Sequence, residues 1–550
     1  MDKLTFKRFG TQIDCSRNAV MNVDAVKRWI DLTAAMGHNT LMLYTEDTYE
    51  VDGQPYFGYG RGRFTKAEMK EMDAYAASKG MEIIPSINTL AHLGTIFRWS
   101  QYAQIHDCED ILLCEDERTY QLLDDMFRTL AECYQSKIIN VGMDEAGMLG
   151  RGQYYDKHGD ARRIDILYRH LQKVSEIAKK YGKELLIYSD MFYSLATHAE
   201  YSDETAKVVE DVATQIPDNV SLVYWNYYKR TVEDYSAIMN VHRQIKPEGL
   251  WYYGGTWNWF SFSPENSYSI AHLSNAVKAC QNTGVDNMII SMWGDDGGEC
   301  GRFANLPAVF YATELAKGNT DEADIKRKFE ELIGVPFDQF ILLDLTSLGE
   351  TEEYCIHPTR YILYNDPFIG LMDPTIPDYT RADHEKLVEQ LSPLCANEQW
   401  GYLFETLRDL CAVTAAKCDI GMRIRAAYDA GDLKQLKKLA AELRRIRKLV
   451  EKFYGSFRYQ WMLENKGHGF EVSDARIGGV MTRLNSCADR LMDYVFGRIE
   501  RIEELEETLL DPRSPSSANY GKRTYMGYWD RSASRYYSWI STANVVGKGY

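Results

Sequence analysis

At 550 residues, 45% of them apolar, the chain is too long for one ordinary domain and carries enough apolar material for two or three sizeable cores. Its formal charge of −17 argues against a nucleic-acid partner, which wants a basic surface, and equally against an anionic membrane face. The 38 Tyr and 11 Trp fill cores, and such rings also cover the apolar faces of sugars in binding pockets.

Residues 1–330 alternate short apolar runs with amphipathic helical stretches. The runs are TQID at 11–14, NTLMLY at 39–44, MEIIPSI at 81–87, KIINVG at 137–142, KELLIYS at 183–189, VSLVYW at 220–225, GLWYYG at 249–254 and DNMIISMW at 286–293. Helical patterns at 23–36, 65–79, 117–134 and 164–181 lie between them, and Gly37, Gly80 and Gly182 fall where a helix C-terminus favours glycine. Repeated strand and helix units argue for a parallel α/β sheet. Eight strands in this length fit a closed (β/α)8 TIM barrel better than an open doubly wound sheet, because no Gly-rich phosphate turn follows TQID.

Residues 331–550 read differently, as a mostly α-helical C-terminal domain packed on the barrel. Long helical patterns occupy 384–392, 398–428, 432–465 and 475–508. In the third, Leu433, Leu436, Leu443, Ile446 and Val450 share a face, and the basic residues between them read as a solvated surface. The tail, 511–550, is rich in Ser, Gly, Tyr and Arg and receives no assignment.

No run of about 18 apolar residues is present, so no membrane span is expected. The start, MDKLTFKRFGTQID, lacks the apolar core of an export signal. The 11 cysteines are scattered without CxxC spacing. They read as free thiols of a reducing compartment, and the expected location is cytoplasmic. A homodimer is left open.

Barrel enzymes build their sites at the carboxyl ends of the strands. Those ends supply Asp14 and Arg17; Tyr44, Glu46 and Asp47; Asn88 and His92; Asp144 and Glu145; Ser189 and Asp190; Trp225 and Asn226; Tyr253, Trp257 and Trp259; and Trp293, Asp295 and Asp296. Acids recur at most ends and Trp at the last three. Acids hold hydroxyls and move protons, while Trp stacks on rings, so the combination reads as a carbohydrate-cleaving pocket. The chain has no GxSxG, HExxH or GxxxxGK[ST]. A metal held by Asp47, His92 and Asp144 is the rival chemistry, and a silent sugar-binding barrel is the rival without chemistry.

In this order the residues resemble glycoside hydrolase family 20, the β-N-acetylhexosaminidases. The family's fourth strand ends His-x-Gly-Gly-Asp-Glu, and here Asn140-Val141-Gly142-Met143-Asp144-Glu145 stands there. Its first strand ends Asp-x-x-Arg, like Asp14 to Arg17; its second ends near an acid, read as Asp47; its third has Pro and then His, like Pro85 and His92. Its sixth ends in Trp, like Trp225, and its eighth in Trp-x-Glu, here Trp293-Gly294-Asp295. The helical C-terminal region is similar to that of a barrel-first branch of the family.

The resemblance implies an exo-acting, retaining enzyme that releases terminal β-linked GlcNAc or GalNAc from an oligosaccharide or glycoconjugate. It implies no cofactor and no metal. Asp144 and Glu145 would be catalytic: the substrate's acetamido oxygen attacks C1, Asp144 orients that group, and Glu145 protonates the leaving oxygen. Burial and a negative neighbour should then keep Glu145 protonated near neutral pH. Successive strand residues face opposite ways, so a turn or bulge must aim both acids inward. Arg17, Asp47, His92, Trp225, Tyr253, Trp257, Trp293 and Asp295 would bind the sugar. Tyr253 is the candidate for the acetamido oxygen, with Tyr252, Tyr227 and Tyr228 competing. Asp295 is shorter than the family's Glu by one methylene, about 1.5 Å, which bears on how the 4- and 6-hydroxyls are read.

Overall fold

The computed structural model describes residues 4–209, 213–259, 261–295, 297–345, 358–376, 378 and 380–510. Asp296 and the tail 511–550 lie outside the described residues. Eight strands, β1 Arg8–Asp14, β2 Thr40–Tyr44, β3 Glu82–Ser86, β4 Ile138–Asn140, β5 Glu184–Tyr188, β6 Val220–Trp225, β7 Trp251–Gly255 and β8 Asn287–Met292, close a barrel in chain order. Every neighbouring pair is parallel, and β8 pairs back on β1. Around them run α1 Val23–Met36, α2 Lys66–Ser78, α3 Glu117–Cys133, α4 Gln153–His158, α5 Arg163–Lys180, α6 Asp190–Thr197, α7 Val232–Ile245, α8 Asn266–Thr283 and α9 Leu306–Ala316. The expected (β/α)8 barrel, followed by a helical region, is therefore present.

The strands are buried on both faces, which is why they read as continuous apolar runs. Inward residues Met42, Tyr44, Ile84, Ile138, Leu186, Tyr188, Val223, Trp251, Tyr253 and Ile289 fill the barrel as one cluster. Outward residues join the helices in a second, larger one. Thr65 and Glu68 start α2 with reciprocal side-chain caps that satisfy two of the backbone N–H groups a helix start leaves over. The strand expected over 137–142 stops at Asn140, because Gly142 and Met143 both take φ near +67° and cannot continue a ladder.

The helical region contains α10 Glu322–Ile333, α11 Phe337–Phe340, α12 Pro358–Tyr364, α13 Thr380–Leu391, α14 Gly401–Lys417, α15 Ile420–Asp429, α16 Leu433–Glu464, α17 Phe470–Val495 and α18 Glu503–Glu506. The single helix expected over 398–428 is two, broken at Cys418 and Asp419. Leu436, Leu443, Ile446 and Val450 of α16 are buried as a face, whereas Leu433, expected with them, is exposed. The ten described cysteines are unpaired. Burial pushes the Cys15 thiol up to about 12 and those of Cys108 and Cys133 to about 11.

Helices and barrel meet through buried charge. Arg302 donates its backbone N–H to Glu464 Oε2 (2.6 Å) and its guanidinium to the carbonyls of Asp14 (2.7 Å), Trp293 (3.1 Å) and Met292 (3.2 Å). Glu299, on the loop after β8, pairs with Arg476 of α17 at 2.9 Å and with Arg360 of α12 at 3.1 Å. Glu299→Ala leaves two buried guanidinium groups without that carboxylate. We expect it to cost roughly 3–5 kcal/mol, read as an earlier unfolding midpoint in denaturant; an unchanged midpoint would show that the cluster adds no net stability.

Candidate active site

The site opens at the carboxyl end of the barrel, and its centre is the turn after β4. Asn140 Oδ1 accepts the Gly142 N–H at 3.0 Å, and the Tyr188 N–H donates to the Gly142 carbonyl at 3.1 Å. A Cβ on Gly142 would stand 1.7 Å from Asn88 Oδ1, so only glycine fits between the two strand ends. Glu145 takes φ +52°, and its N–H donates to Asp190 Oδ2 at 2.8 Å. This series of left-handed residues breaks strand alternation and brings the two acids to one side. His92 Nε2 lies 3.2 Å from Asp144 Oδ2 and 3.7 Å from Glu145 Oε2, ion-pair distances without hydrogen-bond alignment.

The charges around this point are tightly linked. Burial opposes a proton on His92, but Asp144 outweighs it, and the imidazole is held up at about 10. The His92 backbone N–H donates to Asp110 Oδ2 at 3.1 Å, and its Nδ1 lies 3.7 Å from the same carboxylate oxygen. Burial, reinforced by the charge of Asp144, raises Asp190 to about 7. Burial also raises Glu46 to about 7, against the pull of Arg17 and His92. Beside the protonated His92, Arg17 is a second cation here. Burial works against its charge, and Glu46 (3.2 Å) and Asp14 (2.9 Å) more than offset this and raise it well above its usual value. It also reaches Asp295 Oδ1 at 3.3 Å and lies over the rings of Tyr44 and Trp293.

Aromatic rings form the opposite wall. Trp225 stacks on Tyr227 with centroids 5.6 Å apart. Trp293 Nε1 donates to the Tyr227 hydroxyl at 2.7 Å. Trp257 is buried behind them, donating Nε1 to the Tyr227 carbonyl at 2.9 Å and lying 5.0 Å from Trp259. Buried polar atoms without a protein hydrogen-bond partner collect here: Glu46 Oε2, Asp144 Oδ1 and Trp225 Nε1. Each such atom costs about 1–3 kcal/mol unless something polar meets it.

Of the residues singled out in the sequence, Arg17, His92, Asp144, Glu145, Trp225, Trp293 and Asp295 are joined by these contacts. Three readings change. Asp47 is turned to Arg61 (3.1 Å), and its neighbour Glu46, at φ +45°, faces Arg17. Tyr253 donates its hydroxyl to Met42 Sδ at 2.8 Å inside the barrel, and Tyr227 stands at the wall instead. Glu145, expected to be buried, has a side chain 42% exposed. Among the described residues no group of three or more His, Cys, Asp or Glu is arranged to hold a metal, so Asp47, His92 and Asp144 do not converge. Glu46 and Asp190 were both visible as strand-end acids, but nothing in the sequence marked which neighbour would turn inward.

Comparison with known proteins adds to this geometry. The model for the glycosyl hydrolase family 20 catalytic domain matches residues 6–287, and that for the Glycoside Hydrolase 20C C-terminal domain matches 338–524. Hexosaminidase D of Homo sapiens is 21% identical over 58% of this chain and 68% of its own. A chitooligosaccharidolytic beta-N-acetylglucosaminidase of Ostrinia furnacalis is 24% identical over 26% of this chain, and a beta-hexosaminidase of Akkermansia muciniphila is 24% identical over the same share. The chain spans only 28% and 35% of the lengths of those two relatives. A solved GH20 exo beta-N-acetylglucosaminidase from Vibrio harveyi is similar with a TM-score of 0.46 and 15% identity, over 60% of this chain and 59% of its own.

The raised value of His92 lies above its ordinary 6.5, so its contribution to stability is complete below about 6.5 and is lost as pH rises through about 10. We expect its ring to remain protonated at pH 8. NMR of isotope-labelled histidine, assigned with His92→Gln, checks this, and a midpoint near 6.5 would overturn it.

Proposed function

The chain belongs to glycosyl hydrolase family 20, and from that premise we propose that it is an exo-acting, retaining β-N-acetylhexosaminidase. The observation that carries the reading is the turn after β4, which brings Asp144 and Glu145 to one side beside a Trp-lined wall with unmet polar atoms. A terminal N-acetylhexosamine supplies what those atoms lack: hydroxyls, an amide N–H and an amide oxygen.

The acetamido oxygen of the substrate attacks C1 as the glycosidic bond breaks. The proton of Glu145 passes to the leaving oxygen, and an oxazolinium ring forms. Asp144 accepts the acetamido N–H and offsets the positive charge that develops there. The nearby imidazolium of His92 keeps the carboxylates from facing one another uncompensated. Water then attacks C1 as the C1–O bond of the oxazolinium breaks and the acetamido group is restored, Glu145 takes the water's proton, and the sugar leaves with its original β configuration. Tyr227, whose hydroxyl accepts from Trp293, keeps its own proton to give to the acetamido oxygen. Arg17, Glu46 and Asp295 hold the outer hydroxyls. This acidic end, with Arg17 at its centre, supports action on terminal sugars, and the shorter Asp295 supports room for both gluco and galacto configurations.

Two measurements test the reading. Glu145→Gln should lower kcat at least about 10²-fold on substrates with poor leaving groups. It should lower it far less on activated aryl glycosides, which need little protonation; equal losses would remove Glu145 from the acid role. The wild type should also require the 2-acetamido group, because a plain β-glucoside lacks the attacking atom and neither acid replaces it. Comparable turnover of a β-glucoside and its N-acetylated counterpart would sink the mechanism.

A further inference from the structure

Three aromatic side chains outside the pocket touch one another at the same end of the barrel. Tyr56 and Tyr59 belong to the loop between β2 and α2, and Trp99 to the loop between β3 and α3. Their ring centroids are 5.5 Å apart for Tyr56 and Trp99, 5.5 Å for Tyr59 and Trp99, and 6.3 Å for Tyr56 and Tyr59. Tyr59 is 57% exposed and Tyr56 37%. Trp99 is half-buried against the core. Single exposed apolar residues are ordinary, but two exposed rings braced on a half-buried indole mark a surface that meets something.

The loops beneath are held firmly. Phe57, between the two tyrosines, is buried edge-on against Tyr49 at 5.3 Å. Gly58 presses on the Asp47 carbonyl, where a Cβ would come within 2.1 Å. Gln54 accepts from Tyr102 (3.3 Å) and donates to Asp125 of α3 (2.9 Å). The rings are therefore presented in a fixed arrangement before any ligand arrives, which lowers the cost of binding.

Both loops also lead into the pocket. Arg61, two residues beyond Tyr59, pairs with Asp47 and donates to the Ser16 carbonyl, beside Glu46 and Arg17. The loop that carries Trp99 begins with Asn88 and His92, and His92 meets Asp144 and Glu145. The terminal sugar is taken by the pocket, so a ligand on these rings is the part of the same glycan that remains after cleavage.

We propose that Tyr56, Tyr59 and Trp99 form a stacking shelf for a pyranose ring on the leaving-group side of the substrate, making this enzyme a hydrolase of extended oligosaccharides. Flat rings fit the C–H faces of a sugar, and the guanidinium of Arg98, next to Trp99 in the chain and exposed, carries donors suited to hydroxyls. A protein partner would need a larger continuous apolar area than three rings provide. The inference rests on the hexosaminidase reading of the pocket.

The test compares kcat/KM on an aryl N-acetylhexosaminide with kcat/KM on a tetrasaccharide ending in the same sugar. Trp99→Ala and Tyr59→Ala should each lower the ratio of tetrasaccharide to aryl activity by about three- to tenfold, mainly through KM, and Trp99→Phe should restore most of it. Tyr59, the most exposed ring, guards against a variant that fails to fold. An unchanged ratio in both alanine variants, with active protein, overturns the shelf and leaves the pocket reading intact. A wild type that hydrolyses neither substrate overturns both.

Discussion

Two adjacent carboxylates can serve one substrate only if the backbone between them leaves the strand conformation. A strand would send Asp144 and Glu145 to opposite faces. Here Gly142, Met143 and Glu145 all adopt positive φ, which for the two residues with side chains costs of order 1–3 kcal/mol each. That cost persists because the surroundings fix every step: Asn140 and Tyr188 hold Gly142, Asn88 fills the space beside it, and Asp190 receives the Glu145 N–H. The acids, the histidine between them and the pocket wall all depend on that turn keeping its shape.

The second constraint is charge. Asp14, Glu46, Asp144, Asp190 and Asp295 crowd one end of the barrel, with Arg17 and His92 as the cations among them. The helical region enters the same arrangement from behind. Arg302 holds the carbonyl ends of β1 and β8 while its own backbone is held by Glu464 of α16. Glu464 accepts from Tyr402 at 2.8 Å, and burial raises it to about 7. The helices thus do more than cover apolar surface, since they fix the loop ends on which Arg17 and Trp293 stand.

Much of this was legible in the sequence, and the parts that were not have local causes. Apolar runs gave the strands because both strand faces are buried. The acids and tryptophans at their ends were gathered from the order of the strands alone, and a barrel brings strand ends together whatever their separation in the chain, so several of them lie in contact. What the sequence did not carry was direction. Glu46 and Asp47 are equivalent as letters, and a single left-handed residue at 46 decides which one meets Arg17. Tyr253 and Tyr227 differ by whether the hydroxyl turns down to Met42 or sits beside Trp293. The break at Cys418 and Asp419 carries neither glycine nor proline, so apolar periodicity ran through it.

The thiols have a consequence of their own. Most are enclosed, and burial holds Cys15, Cys108 and Cys133 far above the range in which a thiolate forms at neutral pH. An electrophile in solution therefore reacts with them slowly while the fold is closed. Cys15 is buried beside Asp14 at the carboxyl end of β1, in the core between barrel and helices, and Cys487 is buried in α17. Alkylation at each position becomes a local clock, timing how often the seam between β1 and its helices and the helical bundle open, and mass spectrometry reads the two separately in a single unmodified chain.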